Sequence, residues 1–275
     1  MSGDMKTLLS KALAFVKRDF SIESGYQAAF VMGLVESIML LVVLHFIGQL
    51  VAPRASASLS RYGSQYFPFA LVGVAFARYF DLMLRMFSES IRNAQVTGCL
   101  EAMLCSQTGA VTVVMMSSFY SLISGALQLL LILLGGVVLF HVDLTHINIV
   151  ATLMVLLVSV AIFVAFGVLS ASAIVWLKKG DPITWALGGF GSILGGAYFP
   201  IDVMPSWMQK VSFLVPITYS LDALRLTMLK GASIMSVAKP TVTLAIIAVI
   251  LLPASATVFA AAVRKGRREG TLTQY

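Results

Sequence analysis

Apolar residues gather into six long blocks, at about 28–51, 67–87, 111–140, 147–177, 183–199 and 241–263. A helix of about 17 to 25 such residues crosses a hydrocarbon core of roughly 30 Å, so each block predicts a membrane-spanning helix. Lys178 and Lys179 close the fourth block, and Arg264, Lys265, Arg267 and Arg268 follow the sixth. Ahead of the first block the pattern changes. Met5, Leu8, Leu9, Ala12, Leu13, Val16 and Phe20 recur at three- and four-residue spacing, with Lys6, Lys11, Lys17 and Arg18 off that stripe. Residues 1–26 therefore predict an amphipathic helix lying in the membrane interface or packed on a soluble partner. A cleavable signal does not fit, because the first long apolar run starts only after Gln27.

Between the fifth and sixth blocks the sequence "LGGAYFPIDVMPSWMQKVSFLVPITYSLDALR" is too apolar for an exposed loop and too interrupted for a clean span. Six spans put both termini on one side, and the basic residues choose that side. Twelve of the 19 Lys and Arg fall in the N-terminal segment, the second-to-third and fourth-to-fifth links and the tail; six fall opposite, and Arg78 lies inside a span. Both termini are thus expected in the cytoplasm. A seventh span over 207–229 would put the basic tail outside, so 200–232 is expected to enter the outer leaflet and return. Broken backbone at that depth is tolerated where protein or water surrounds it.

Composition agrees with this pattern. The 275 residues are 59% hydrophobic and 11% charged, with a mean hydropathy of +0.94, against about 25% charged in soluble domains. The expectation is one all-α integral membrane domain over 1–275. The net charge of +7 belongs to the ends of apolar blocks, and basic stripes interleaved with stacking aromatics are absent, so no nucleic-acid partner is expected.

Enzyme chemistry finds little support. No Gly-Lys pair occurs, so a G-x-x-x-x-G-K-[ST] phosphate loop is missing, and His45, His141 and His146 form no H-E-x-x-H metal motif. A G-x-S-x-G elbow is also missing. Cys99 and Cys105, six apart and without a nearby His, read as packing residues rather than a metal site or disulfide.

Charges inside spans are costly and face protein or water. Glu36 lies in the first span, and Arg78, Asp81 and Arg85 follow at helical spacing in the second. Arg78 and Asp81 can meet on one face with Glu36 joining across the helix pair, as a polar patch on a translocation route, a proton relay, or a buried pair that fixes packing. Phe69, Phe76, Phe80 and Phe87 form a second stripe on that helix, either lining a route or packing. Ser117, Ser121, Ser124 and Gln128, and the ridge Gly188, Gly191, Ser192 and Gly195, fit close helix contact. The link 88–110 turns amphipathic through Leu100, Met103 and Leu104 beside Glu101, as a docking knob for a cytoplasmic partner or a structural interfacial helix.

"TGCLEAMLCSQT" resembles the G-T-L-E-A-L-x-x-T-P coupling segment of ABC-2 type transporter permeases, with Cys99 in place of Thr and Thr108 in place of Pro. "YFPFALVGVAF" and the stretch from Gly195 to Arg225, with Pro200, Pro205, Pro216, Tyr219, Asp222 and Arg225 in order, are similar to two further parts of that family. The resemblance implies the ABC-2 (type V exporter-like) fold of six spans with a re-entrant element that includes Trp207. It implies a homodimer in the bacterial inner membrane, no catalytic site or cofactor in this chain, and two copies of a separate ATPase carrying ATP and Mg. Gly98, Leu100, Glu101, Met103 and Leu104 would dock on that ATPase, together with the amphipathic helix 1–26, to export an amphipathic, lipid-like, drug or lipid-linked glycan substrate amid membrane lipids. An ion-coupled carrier using Glu36, Arg78 and Asp81 as its proton site, and a non-transporting scaffold, are the competing classes.

Overall fold

The computed structural model describes residues 27–96, 110–177 and 181–269, and among them every regular element is helical. Eight helices follow in order: α1 Gln27–Leu59, α2 Tyr66–Val96, α3 Ala110–Phe140, α4 Ile149–Leu177, α5 Pro182–Leu194, α6 Ser206–Ser212, α7 Pro216–Leu229 and α8 Ala238–Glu269. In α5 the middle, Trp185–Phe190, widens into a π-helical segment. Among the described residues four helices are long and apolar enough to cross a membrane: Tyr66–Asn93, Ser118–Phe140, Ile149–Trp176 and Ala238–Gly266. Two further apolar helices, Val35–Leu50 and Pro182–Leu194, are shorter. The amphipathic segment 1–26 and most of the 88–110 link lie outside the described residues.

Helix α2 is the centre of the bundle. Its apolar window is 78% buried, against 28–39% for the other three long helices. It packs against α3, α4, α1 and α7, and α8 packs against α4. In lipid, water exclusion no longer drives helix association, so close packing and polar contacts must do it. Phe80 of α2 stacks on Phe163 of α4 with centroids 4.3 Å apart and ring planes 7° from parallel. Nearby, Gly167 of α4 lies so close to Phe87 and the Met83 carbonyl that a Cβ would press into both.

Local sequence explains where the short helices start. Asp181 caps α5, accepting from the Thr184 N–H at 3.0 Å, and Pro182 follows at the first helical position, where its missing N–H costs nothing. Pro216 opens α7 in the same way, after Val215 in extended conformation. Pro200 and Pro205 are extended, and α6 begins directly after the latter.

Contacts define two ends of the bundle. At one, Thr184 of α5 donates to the Leu84 carbonyl of α2 at 3.3 Å, and Lys265 of α8 lies 5.1 Å from the Trp176 ring centroid of α4. At the other, the turn 141–148 meets the end of α7, where the Asn148 N–H donates to the Thr227 carbonyl at 3.0 Å.

Candidate functional site

The charges on α2 separate into two pairs. Arg78 donates to Glu36 of α1 and, at 3.5 Å, to Ser37. Asp81 instead accepts from Arg85, one turn along α2, with Nε at 2.8 Å from Oδ2. The expected single cluster of Glu36, Arg78 and Asp81 is therefore corrected. A three-residue step turns Asp81 about 60° from Arg78 around the helix, away from α1 and onto α5. There Gly188, inside the π-helical segment, lies so close that a Cβ would overlap the Asp81 carboxylate.

Neither pair is sealed inside the protomer. The Glu36 and Arg78 side chains are 68% and 39% exposed, and those of Arg85 and Asp81 are 49% and 32% exposed. Glu89 and Arg92 continue the same strip and are also exposed. From Arg78 toward the N-terminus of α2 the helix disappears beneath its neighbours: Phe69, Leu71, Val74 and Ala75 are buried.

The aromatic stripe has the opposite environment. Phe69, Phe76, Phe80 and Phe87 are all at most 2% exposed, packed within the chain's own bundle. The small-residue ridge of α5 also meets its own chain, Gly188 against Asp81, Gly191 against Val215 and Gly195 against Ile217.

A second polar centre joins the α1–α2 turn to α7. Arg225 is 3% exposed, donates from Nε to the Phe69 carbonyl at 3.1 Å and from Nη2 to the Ala197 carbonyl at 2.9 Å, and stacks 3.5 Å from the Phe69 ring centroid. Gly73 makes room for it, because a Cβ there would overlap both the guanidinium and the Ala197 carbonyl. One turn back on α7, Asp222 accepts from Arg61 at 2.9 Å and from the Tyr62 hydroxyl. Burial first, then the Asp222 charge and hydrogen bond, push the Tyr62 phenol well above its ordinary value, so it stays a donor.

A third centre ties α5 to α4 and α2. Asp181 accepts from Ser170 as well as from Thr184, and Ser170 and Thr184 hydroxyls lie 3.0 Å apart. Burial raises the Asp181 carboxyl, but hydrogen bonds from Ser170, Thr184 and Ser88 outweigh it and leave the group below the usual range.

The expected outer element contains Pro200, Pro205, Trp207, Pro216 and Arg225, which the structure distributes differently. Pro200 and Pro216 are buried, whereas Pro205 and Trp207 are exposed. Ser212 and Thr218 join α6 to α7 through a 2.7 Å bond from the Thr218 hydroxyl to the Ser212 carbonyl. Gly98, Leu100, Glu101, Met103 and Leu104 lie outside the described residues. Sequence reasoning missed Asp181, Ser170, Gly73, Tyr62 and the role of Asp222. Asp181-Pro182 carried a readable helix-start signal; the others are joined only by tertiary contact.

Four membrane-length apolar helices among the described residues, one of them the buried central helix α2, define a multi-pass membrane protein. The family model for the ABC-2 type transporter matches residues 13–229, so the chain belongs to that family. The chain is the membrane domain of an ABC transporter, a class that is generally a non-catalytic transmembrane subunit and normally partners with an ABC ATP-binding subunit. No curated protein matches the chain.

Proposed function

We propose that this chain is the permease of an ATP-driven exporter that moves an amphipathic, lipid-like, drug or lipid-linked glycan substrate out of the cytoplasm or the inner leaflet. Two copies form the route, and each carries a separate ATPase with ATP and Mg bound on that partner. The observation that carries this reading is the family match over 13–229, which embraces both the Gly98–Thr108 stretch and α7. Gly98, Leu100, Glu101, Met103 and Leu104 dock on the ATPase, with the amphipathic segment 1–26 beside them, and ATP-driven closure is transmitted there.

The chain crosses the inner membrane six times, with α1 and α5 as its first and fifth crossings and both termini in the cytoplasm. Support comes from Lys265 and Trp176, a basic and aromatic pair suited to an interface, at the end of the bundle that also bears Arg264 and Arg268. A re-entrant α6–α7 element is supported by two contacts: Ile217 touches the end of α5 at Gly195, and Thr227 meets the turn between α3 and α4. In that orientation Arg225, Asp222, Arg61 and Tyr62 close the outer half of α2. The charged strip from Arg78 to Arg92 opens toward the cytoplasm.

Isolating the tagged chain with its native neighbours tests the reading. An ABC ATPase is expected with the unmodified chain and is lost from Glu101→Arg. Failure to recover any ATPase with the unmodified chain under mild conditions overturns it.

A further inference from the structure

Arg78, Asp81, Arg85, Glu89 and Arg92 alternate in sign at steps of three or four residues, a rise of about 4.5 to 6 Å between opposite charges. All are exposed or half-exposed on one strip of the central helix. The deep end is set by the Arg78–Glu36 pair, beyond which α2 is covered by its own chain. Charges along a span pair with one another or face the bundle interior or water, and the exposed side of these pairs is open to a polar ligand. With Glu36 the strip holds three cations and three anions, so it attracts no net charge.

Its neighbours are apolar and also exposed. Met32, Met39 and Val43 share the Glu36 face of α1 and are exposed. Such flanks suit an alkyl tail, and methionines adapt to varied shapes.

We propose that this strip binds the headgroup of an amphiphile carrying one positive and one negative charge, its tail lying against α1. The proposal rests on the exporter reading and names its substrate class. At the deep end a singly charged headgroup that engages Arg78 or Glu36 leaves the other member of that pair unmatched. A dipolar headgroup exchanges one pair for two, with Arg78 meeting its anion and Glu36 its cation.

The full chain in nanodiscs, probed by electron spin resonance with spin-labelled lipids of identical tails, tests this without ATP or an ATPase. The headgroups are phosphocholine, phosphoglycerol and trimethylammonium. In the unmodified chain the motionally restricted fraction is expected to favour phosphocholine about threefold, the scale of one exposed ion pair. Glu36→Gln shifts the preference to phosphoglycerol, and Arg78→Gln shifts it to trimethylammonium. The double exchange Glu36→Arg with Arg78→Glu keeps the pair and keeps the phosphocholine preference, which separates recognition from a fold damaged by the single changes. Equal restriction of all three probes in the unmodified chain overturns the proposal, as does a preference untouched by both single variants; a second copy covering the strip gives the first of these results. Either result leaves the exporter reading to stand or fall on recovery of its ATPase.

Discussion

Gly73 and Gly33 make opposite predictions from the same substitution. Gly33→Ala meets nothing within 4 Å on an exposed turn of α1, so removing backbone freedom stabilises by about 0.5 to 1 kcal/mol. Gly73→Ala must displace the Arg225 guanidinium or the Ala197 carbonyl, an overpacking that costs about 1 to 3 kcal/mol. Thermal unfolding of the two purified variants is expected to move in opposite directions. Asp181→Ala removes the cap of α5 and costs about 1 kcal/mol. Because the Asp181 carboxyl is held below its ordinary 3.8, its contribution is fully present above that pH and is lost as pH falls through the lower folded value. The stability gap between Asp181→Ala and the unmodified chain is therefore flat at neutral pH and closes only in strong acid.

Among the elements, α7 depends on contacts made far from it in sequence. Arg225→Met keeps the volume and removes both donors, leaving the Ala197 carbonyl without its Arg225 bond; a buried polar group in that state costs about 1 to 3 kcal/mol. Loosened contact of α7 with α2 and with Ala197 is expected as faster amide exchange in 222–229, measured by mass spectrometry. Arg61→Ala removes an exposed bridge to Asp222 and is expected to change that exchange far less, since such pairs contribute about 0 to 1 kcal/mol. This difference also explains what could be read in advance. The apolar blocks matched helices because length and hydropathy are local properties. The partition of Arg78 and Asp81 between α1 and α5 was invisible, because one helix's periodicity does not say which neighbours cross it. Arg225 was legible as part of a motif, but its stacking on Phe69 depends on Gly73, 152 positions away in the chain.

At the scale of the whole molecule, one half of α2 is locked under α7 and the other half presents charge. Under the proposed exporter reading, substrate binds from one side and the Arg225 and Asp222 contacts are released to open the other. The competing carrier would use Glu36, Arg78 and Asp81 as its proton site, with no ATPase required. Transport of a fluorescent-tailed phosphocholine amphiphile by the chain and its ATPase in proteoliposomes separates the two most directly. The account predicts movement that needs ATP and continues when the proton gradient is collapsed. Movement that persists without the ATPase, follows the proton gradient and stops in Glu36→Gln would contradict it.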